Sequence, residues 1–191
     1  VAEIPAVKMT RAERVRVVTA EDPASLMAEA YRSLRTSILA MWQRHPSMQG
    51  ALVPYGNGNG NGNGNGRSVP PLRALLVTSP GPAEGKSLSA VNLAAAFAET
   101  GASVIVIDAD FRRPQVDRYF HQGATPNLGD LDANLDASDL EAVLQDSGVP
   151  GVRFAASAPP KSSPGNAMAV AKAAITAAKE ICDIVLIDSP P

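Results

Sequence analysis

Apolar residues along this chain fall into two recurring patterns that predict alternating strands and helices. Four short and almost uninterrupted apolar runs are typical of strands buried on both faces of a parallel sheet. These runs lie at 73–79, 103–108, 152–157 and 183–188. Helical stretches are predicted between them at 86–100, near 138–146 and at 166–181. Repeated strand–helix units with short connections indicate an α/β fold that is doubly wound around a parallel sheet.

A separate amphipathic helix is predicted upstream of these units, at residues 24–45. Its apolar positions recur at spacings of three and four, which gives one stripe on a helix. The stripe consists of Leu26, Ala30, Leu34, Ile38 and Met41. Ser25 or Asp22 is suited to cap the start of this helix, and Pro46 is expected to end it.

Two other segments show no periodic pattern. Residues 1–23 are expected to be irregular, and residues 46–72 form a predicted linker. At the centre of that linker, residues 56–66 alternate strictly between Gly and Asn, a composition that builds no core and predicts a flexible, solvated tract.

The composition of the chain argues against some classes of function. The chain has 191 residues, 45% of them hydrophobic, and a net charge of −2 from 17 basic and 19 acidic residues. That balance argues against a general nucleic-acid surface. The single cysteine, Cys182, forms no internal disulfide and is expected to be a small core residue in a reducing compartment. The first residue is Val1 and the last two are prolines, so we expect a piece that is truncated at both ends.

The loop after the first predicted strand carries the clearest candidate chemistry. This loop is rich in Pro and Gly and enters a helix through Gly85-Lys86-Ser87. Backbone N–H groups and the helix dipole favour an anion at such a helix start. Lys86 adds a full charge, and the Ser87 hydroxyl is placed to ligate Mg²⁺. The loop suits nucleotide phosphates, although Pro80 breaks the strict G-x-x-x-x-G-K-[ST] pattern at its first position.

Acidic residues follow two of the predicted strands. Asp108 and Asp110 come at the end of one strand, and Asp188 ends the last. Ligands of open parallel sheets bind outside the carboxyl ends of the strands, so the three carboxylates and the loop are expected to meet there. Mg²⁺ needs only a few hard oxygen ligands. A single Asp also fits a turn or helix cap, but the whole constellation favours a metal–nucleotide site.

Several segments together resemble the bacterial tyrosine kinases, cytoplasmic P-loop ATPase domains that regulate capsule and exopolysaccharide export. Residues 78–87, 104–114 and 183–191 resemble the Walker A, Walker A′ and Walker B elements of that family. Residues 29–35, EAYRSLR, resemble its E-x-x-R-x-x-R helix. Partitioning and cell-division ATPases share the fold but carry an extra lysine at the position of Gly81, which favours the kinase branch. The resemblance implies a three-layer P-loop NTPase with a mostly parallel sheet, preceded by an amphipathic helix.

The resemblance also implies roles for individual residues. ATP would be bound by the consecutive residues Pro82, Ala83, Glu84, Gly85, Lys86, Ser87 and Leu88. Lys86, Asp108, Asp110 and Asp188 would be catalytic, with Asp108 as the candidate base for a tyrosine hydroxyl and Asp110 in support. Ser87, Asp108 and Asp188 would act on Mg²⁺ or its waters.

One position departs from the family pattern. Ala83 stands where the kinase loop usually has Gly, and its methyl group is tolerated at negative φ or otherwise weakens binding. The neighbouring Pro82 has no N–H group with which to contact phosphate.

The helix motif at 29–35 suggests an interface. Glu29, Arg32 and Arg35 fall near one face of a helix, and an intrahelical ion pair alone accounts for Glu29 and Arg32. The resemblance implies instead that these three residues meet the neighbouring subunit of a homo-oligomeric ring. The expected partners are nucleotide and an integral membrane polysaccharide co-polymerase domain, in cis or in trans, at the cytoplasmic face of the bacterial inner membrane.

The predicted organisation and function follow from these features. Residues 1–23 form a juxtamembrane-like segment, 24–45 an oligomerisation helix, 46–72 a linker, and 73–191 a P-loop ATPase or kinase domain that lacks its C-terminal part. The leading hypothesis is an ATP- and Mg²⁺-dependent tyrosine autokinase of polysaccharide assembly. One alternative is a MinD/ParA-like regulatory ATPase of a membrane partner without kinase activity. Another is a nucleotide-binding adaptor without turnover.

Overall fold

The computed structural model describes residues 17–44, 73–81, 83–159 and 164–191. Most of the segment 1–23, the linker 46–72 and the predicted nucleotide contact Pro82 lie outside these residues. The helices are α1 (Val18–Glu21), α2 (Leu26–Arg44), α3 (Lys86–Ala98), α4 (Val116–Tyr119), α5 (Ala137–Val143) and α6 (Ala167–Ile181). The strands are β1 (Ala74–Val77), β2 (Val104–Asp108), β3 (Gln145–Asp146), β4 (Val152–Ala155) and β5 (Ile184–Asp188). Short 3₁₀ turns occupy Leu128–Asp130 and Pro164–Asn166.

The five strands form one sheet in the order β1-β5-β2-β4-β3. Every neighbouring pair is parallel except β3 and β4, which are antiparallel. This mostly parallel α/β sheet confirms the predicted fold class. Its register pairs Asp108 at the end of β2 with Asp188 at the end of β5, so both residues lie at one edge of the sheet.

Alternate residues of the central strands face two separate cores. Val104, Val106 and Leu186 pack with α2, α3 and α4 on one face, whereas Ile105 and Ile187 pack with α5 and α6 on the other. Because both faces of β2 and β5 are covered, each of their residues is buried. The uninterrupted apolar runs in the sequence follow from this two-sided burial.

The helix α2 forms as predicted, but only part of the predicted stripe packs against the core. Leu26 is 84% exposed and Met41 is 56% exposed, whereas Met27, Ala28 and Tyr31 are buried. Leu34 and Ile38 of the predicted stripe pack against the core that includes α3, so the prediction was wrong for Leu26 and Met41 but not for the middle of the stripe. Within the described residues, no helix is both long and apolar enough to cross a bilayer.

The segment before α2 is more ordered than predicted. Val18–Glu21 form a one-turn helix, so the expectation of irregular structure was wrong there. Thr19 is buried, and both its backbone N–H (3.0 Å) and its hydroxyl (3.2 Å) donate to Oδ1 of Asn92 on α3. A buried polar contact of this kind depends on tertiary structure and leaves no periodic signal in the sequence.

Candidate nucleotide and metal site

The predicted phosphate loop ends at the start of α3. Gly85 precedes the helix with φ +84°, a left-handed conformation that glycine adopts without steric cost. Its carbonyl accepts a hydrogen bond from the N–H of Ser89 at 2.8 Å, which closes the first turn. Lys86 and Ser87 are therefore the first two residues of α3, at the positive end of its dipole.

The Ser87 hydroxyl and the Asp188 carboxylate are in direct contact. Ser87 Oγ donates to Asp188 Oδ2 at 2.5 Å, which joins the phosphate-loop helix to the end of β5. Asp188 is only 1% exposed, and its Oδ1 has no hydrogen-bond partner within the described part of the chain. A buried carboxylate oxygen without a donor is costly, so this atom is placed to receive a ligand.

Burial controls the protonation of Asp188. Desolvation raises the pKa of this carboxyl, while the Ser87 hydrogen bond and the Lys86 charge lower it, and the Asp110 charge raises it further. The hydrogen bond between Ser87 and Asp188 and the pairing of Asp108 with Asp188 bring residues from three separate segments together at this edge. That convergence was the central geometric prediction from the sequence.

Asp108 is enclosed by backbone N–H groups. Its Oδ1 accepts from Asp110, and its Oδ2 accepts from Gln115 at 3.0 Å and Val116 at 3.1 Å. A carboxylate offers about four acceptor positions, so three of them are used within the chain. Burial nevertheless dominates and raises the pKa of Asp108 to about 7, with a contribution from the Asp188 charge. Its predicted roles as base and metal-binding residue stay predictions.

The stability of the nucleotide-free protein should fall as the pH rises from 5 to 8. The folded protein favours the protonated form of Asp108. The stability gained from this group is therefore complete below its ordinary pKa of 3.8 and is lost as the pH rises through about 7. Asp188 acts in the same direction. The pKa values of the Glu99 and Asp183 carboxyls are lowered, so their contribution to stability is lost only as the pH falls below about 5.

Thermal unfolding midpoints measured at pH 5, 6, 7 and 8 test this expectation. Asp108→Asn removes the titrating group and should flatten the slope, although it also lowers stability at every pH because a backbone N–H loses its acceptor. A midpoint that rises with pH across this range, or an unchanged slope in the variant, would contradict the assignment.

Asp110 and two residues that were not predicted complete the surroundings. Asp110 Oδ1 accepts from the N–H groups of Arg112 and Arg113, so this carboxylate also organises the turn after β2. The buried Ser157 hydroxyl donates to the carbonyl of Asp108. Burial and the Asp188 charge raise the pKa of Tyr119. Neither Ser157 nor Tyr119 belongs to a recognisable motif, so no sequence signal singled them out.

The loop backbone is strained at Ala83. Its φ is +61°, in the left-handed region, so the condition of negative φ under which the methyl group is tolerated is not met. A residue with a Cβ atom loses about 1–2 kcal/mol in this region, and glycine does not. On the other side of the loop, the N–H of Gly81 donates to the Glu84 carboxylate at 3.2 Å.

Ala83→Gly should stabilise the protein by about 1 kcal/mol because it removes this strain. For a chain of this size, that corresponds to an increase of about 2–4 °C in the unfolding midpoint, measured by calorimetry. Ala169→Gly is the matched control, since Ala169 lies exposed in α6 and the same exchange there should cost about 1 kcal/mol. Loss of stability in both variants would argue against a left-handed Ala83.

The donor set fits Mg²⁺ with few protein ligands. Ser87 Oγ at the start of α3 and Asp188 Oδ1 at the end of β5 are hard oxygens, as Mg²⁺ prefers, and the latter has no donor in the part of the chain that the structure describes. In the described part of the chain, no group of three or more His, Cys, Asp or Glu residues is arranged to hold a metal ion. Such a site would depend on nucleotide phosphates and waters for its remaining ligands.

Two of the three predicted interface residues, Arg32 and Arg35, contact the C-terminal end of α3 in their own chain. Arg32 contacts Glu99 and also pairs with Glu29 at 3.3 Å, while Arg35 donates to the carbonyl of Ala96. The intrahelical pair considered from the sequence is therefore present, and Glu99 is an additional partner that the sequence did not indicate. Contact with a neighbouring subunit stays a prediction.

Comparison with known proteins agrees with this geometry. Residues 75–191 match the family model of the ATPase MipZ, and together with the phosphate loop this places the chain among the P-loop ATPases. Tyrosine-protein kinase YwqD of Bacillus subtilis (strain 168) is 30% identical, over 97% of this chain and 69% of YwqD. The chain thus belongs to the bacterial tyrosine kinase family.

Other relatives support the same assignment. The putative tyrosine-protein kinase EpsB of Ralstonia solanacearum is 30% identical over 90% of this chain, which spans only 19% of EpsB. The solved BceF tyrosine kinase domain is 29% identical with a TM-score of 0.62, over 92% of this chain and 60% of that domain. The kinase domain of Escherichia coli tyrosine kinase ETK shares the fold, at 24% identity and a TM-score of 0.66, over 98% of this chain and 62% of that domain.

Proposed function

We propose that this chain carries an ATP- and Mg²⁺-dependent protein tyrosine autokinase activity that regulates capsular or exopolysaccharide polymerisation and export. The observation that carries the proposal is the contact between Ser87 and Asp188, whose Oδ1 lies beside Asp108 and has no hydrogen-bond partner among the described residues. This arrangement supports binding of a metal–nucleotide complex. Relatives named as tyrosine kinases support the kinase branch, and the polysaccharide role is carried over from the family resemblance.

Each residue has a physical task in this proposal. The N–H groups at the start of α3 and the Lys86 ammonium bind and orient the phosphates, since phosphoryl transfer depends mainly on positioning and charge stabilisation. Ser87 and Asp188 would hold Mg²⁺, which when bound offsets negative charge on the phosphates. Asp108 accepts the proton of the tyrosine hydroxyl, a task suited to a carboxyl whose pKa is raised to about 7.

Assembly and location form the second part of the proposal. Glu29, Arg32 and Arg35 lie on α2, at the surface through which copies of the chain would form a ring. An integral membrane co-polymerase domain would hold that ring at the cytoplasmic face of the inner membrane. The family resemblance supports both statements.

A regulatory ATPase without kinase activity is the second candidate. The match of residues 75–191 to the ATPase MipZ favours it, because the same site also suits phosphate transfer to water. The two candidates differ in the acceptor of the phosphoryl group, which is a tyrosine hydroxyl for the kinase and water for the ATPase.

The experiment follows the γ-phosphate of labelled ATP incubated with the protein and Mg²⁺. Label on tyrosine, of the protein itself or of an added tyrosine-rich peptide, supports the kinase. Label released as inorganic phosphate without phosphotyrosine supports the regulatory ATPase. Nucleotide binding without loss of the γ-phosphate contradicts both and supports an adaptor.

A further inference from the structure

Arg32 is held by acceptors from its own chain. Its Nε donates to Glu99 Oε2 at 2.8 Å and its Nη2 donates to Glu99 Oε1 at 2.7 Å, which forms a two-pronged contact with the end of α3. Its Nη1 donates to the carbonyl of Pro23 at 2.7 Å and to Glu29 at 3.3 Å. These four contacts occupy all but one of the five N–H groups of a guanidinium.

Arg35 contacts the same end of α3. Its Nη1 donates to the carbonyl of Ala96 at 2.5 Å and lies 3.8 Å from Glu99 Oε2. Cations are favoured at helix C-termini, where carbonyl groups lack partners and the dipole is negative. We call Arg32, Arg35 and Glu99 the α2–α3 clamp.

The clamp is accessible to competing acceptors. The side chains of Arg32 and Glu99 are 24% and 32% exposed, and the two-pronged geometry places this pair at the upper end of the range for exposed ion pairs. A carboxylate of another molecule that pairs with Arg32 in the same geometry would replace the Glu99 contact with one of similar strength. Without that exchange, Arg32 has almost no donor left for a partner.

We infer that Glu99 competes with a second copy of this chain for Arg32 and Arg35, so that opening of the α2–α3 clamp limits self-assembly. The inference rests on the ring interface of the proposed function and adds the intrachain competitor that regulates it. Removing the Glu99 carboxylate should then promote association, whereas removing the arginines should prevent it. If the clamp only stabilises the fold, removing the Glu99 carboxylate should not increase association.

Sedimentation velocity over a range of protein concentrations tests the inference on Glu99→Gln. We expect half-association at about fivefold lower concentration than for the unmodified protein, the upper limit for a partly exposed ion pair. Glu141→Gln is the matched control, because it removes the same charge from a 2.6 Å pair with Arg153 elsewhere on the surface. It should leave association unchanged. The double variant Arg32→Ala, Arg35→Ala should remain monomeric.

Equal or weaker association of Glu99→Gln relative to Glu141→Gln would overturn the inference. So would the absence of self-association in every variant, which would also remove the ring interface. ATP turnover measured on the same samples separates this failure from failure of the enzymatic proposal, because turnover can persist in a protein that never assembles. A thermal unfolding curve for each variant identifies any effect that arises from loss of the fold.

Discussion

Lys86→Met is expected to lower ATP turnover by about 10²–10³-fold while the fold is retained. Lys86 is the first residue of α3, and its charge already acts on the Asp188 carboxylate. No other side chain of the consecutive residues 83–88 carries a positive charge. The variant therefore lacks the positive charge that would stabilise the phosphoryl group during transfer. The fold should be retained, because Met has a length and a helix propensity similar to those of Lys.

The measurement is kcat at saturating ATP, with circular dichroism to verify the fold. Lys172→Met supplies the control, since Lys172 lies exposed on α6 and the exchange removes the same charge. Its turnover should match that of the unmodified protein. Equal turnover in the Lys86 variant would remove this residue from the mechanism and would favour a contaminating ATPase as the source of activity.

The convergence at the sheet edge was predictable because it follows from local patterns and one general rule. The runs that end at Asp108 and Asp188 are apolar at every position, which identifies them as buried parallel strands. Parallel strands bring their carboxyl ends to the same edge, so the sequence predicts that these two residues are neighbours. The start of α3 was equally clear, because Gly85 and Lys86 mark the end of the loop.

Contacts between distant segments were not predictable in the same way. Glu99 lies 67 residues from Arg32 and ends a helix, a position at which many residue types occur. The docked face of α2 includes Met27 and Tyr31, which the apolar stripe missed, because contacts with α3 such as the pair of Arg32 and Glu99 set its position. The conformation of Ala83 depends on the loop as a whole, and composition alone left both signs of φ open.

Asp188→Asn is expected to lower Mg²⁺-dependent ATP turnover by about 10²–10³-fold and to raise the stability of the nucleotide-free protein. Asn retains the size of the side chain, and its Oδ1 can still accept the hydrogen bond from Ser87. The exchange removes the charge of a carboxylate that is 1% exposed and faces Asp108, and whose Oδ1 has no donor among the described residues. Relief of that desolvation and repulsion should raise the unfolding midpoint.

The opposite signs of the two effects distinguish a functional residue from a structural one. A carboxylate kept for the stability of the fold would lower the midpoint when replaced, whereas one kept for a ligand can be unfavourable until the ligand binds. Asp183→Asn is a control in the residue just before β5, at the opposite end of that strand. Its Oδ2 accepts from the N–H of Ser103 at 2.8 Å and from the hydroxyl of Ser103 at 2.7 Å.

The two variants should therefore respond in opposite ways. Asp183→Asn weakens satisfied hydrogen bonds, so it should lower the unfolding midpoint and leave turnover unchanged. Asp188→Asn should raise the midpoint and reduce turnover, and added Mg²⁺ with ADP should stabilise the unmodified protein more than this variant. If Asp188→Asn instead lowers the midpoint and retains turnover, its contact with Ser87 is a structural link between α3 and β5, and the metal must be held by other groups.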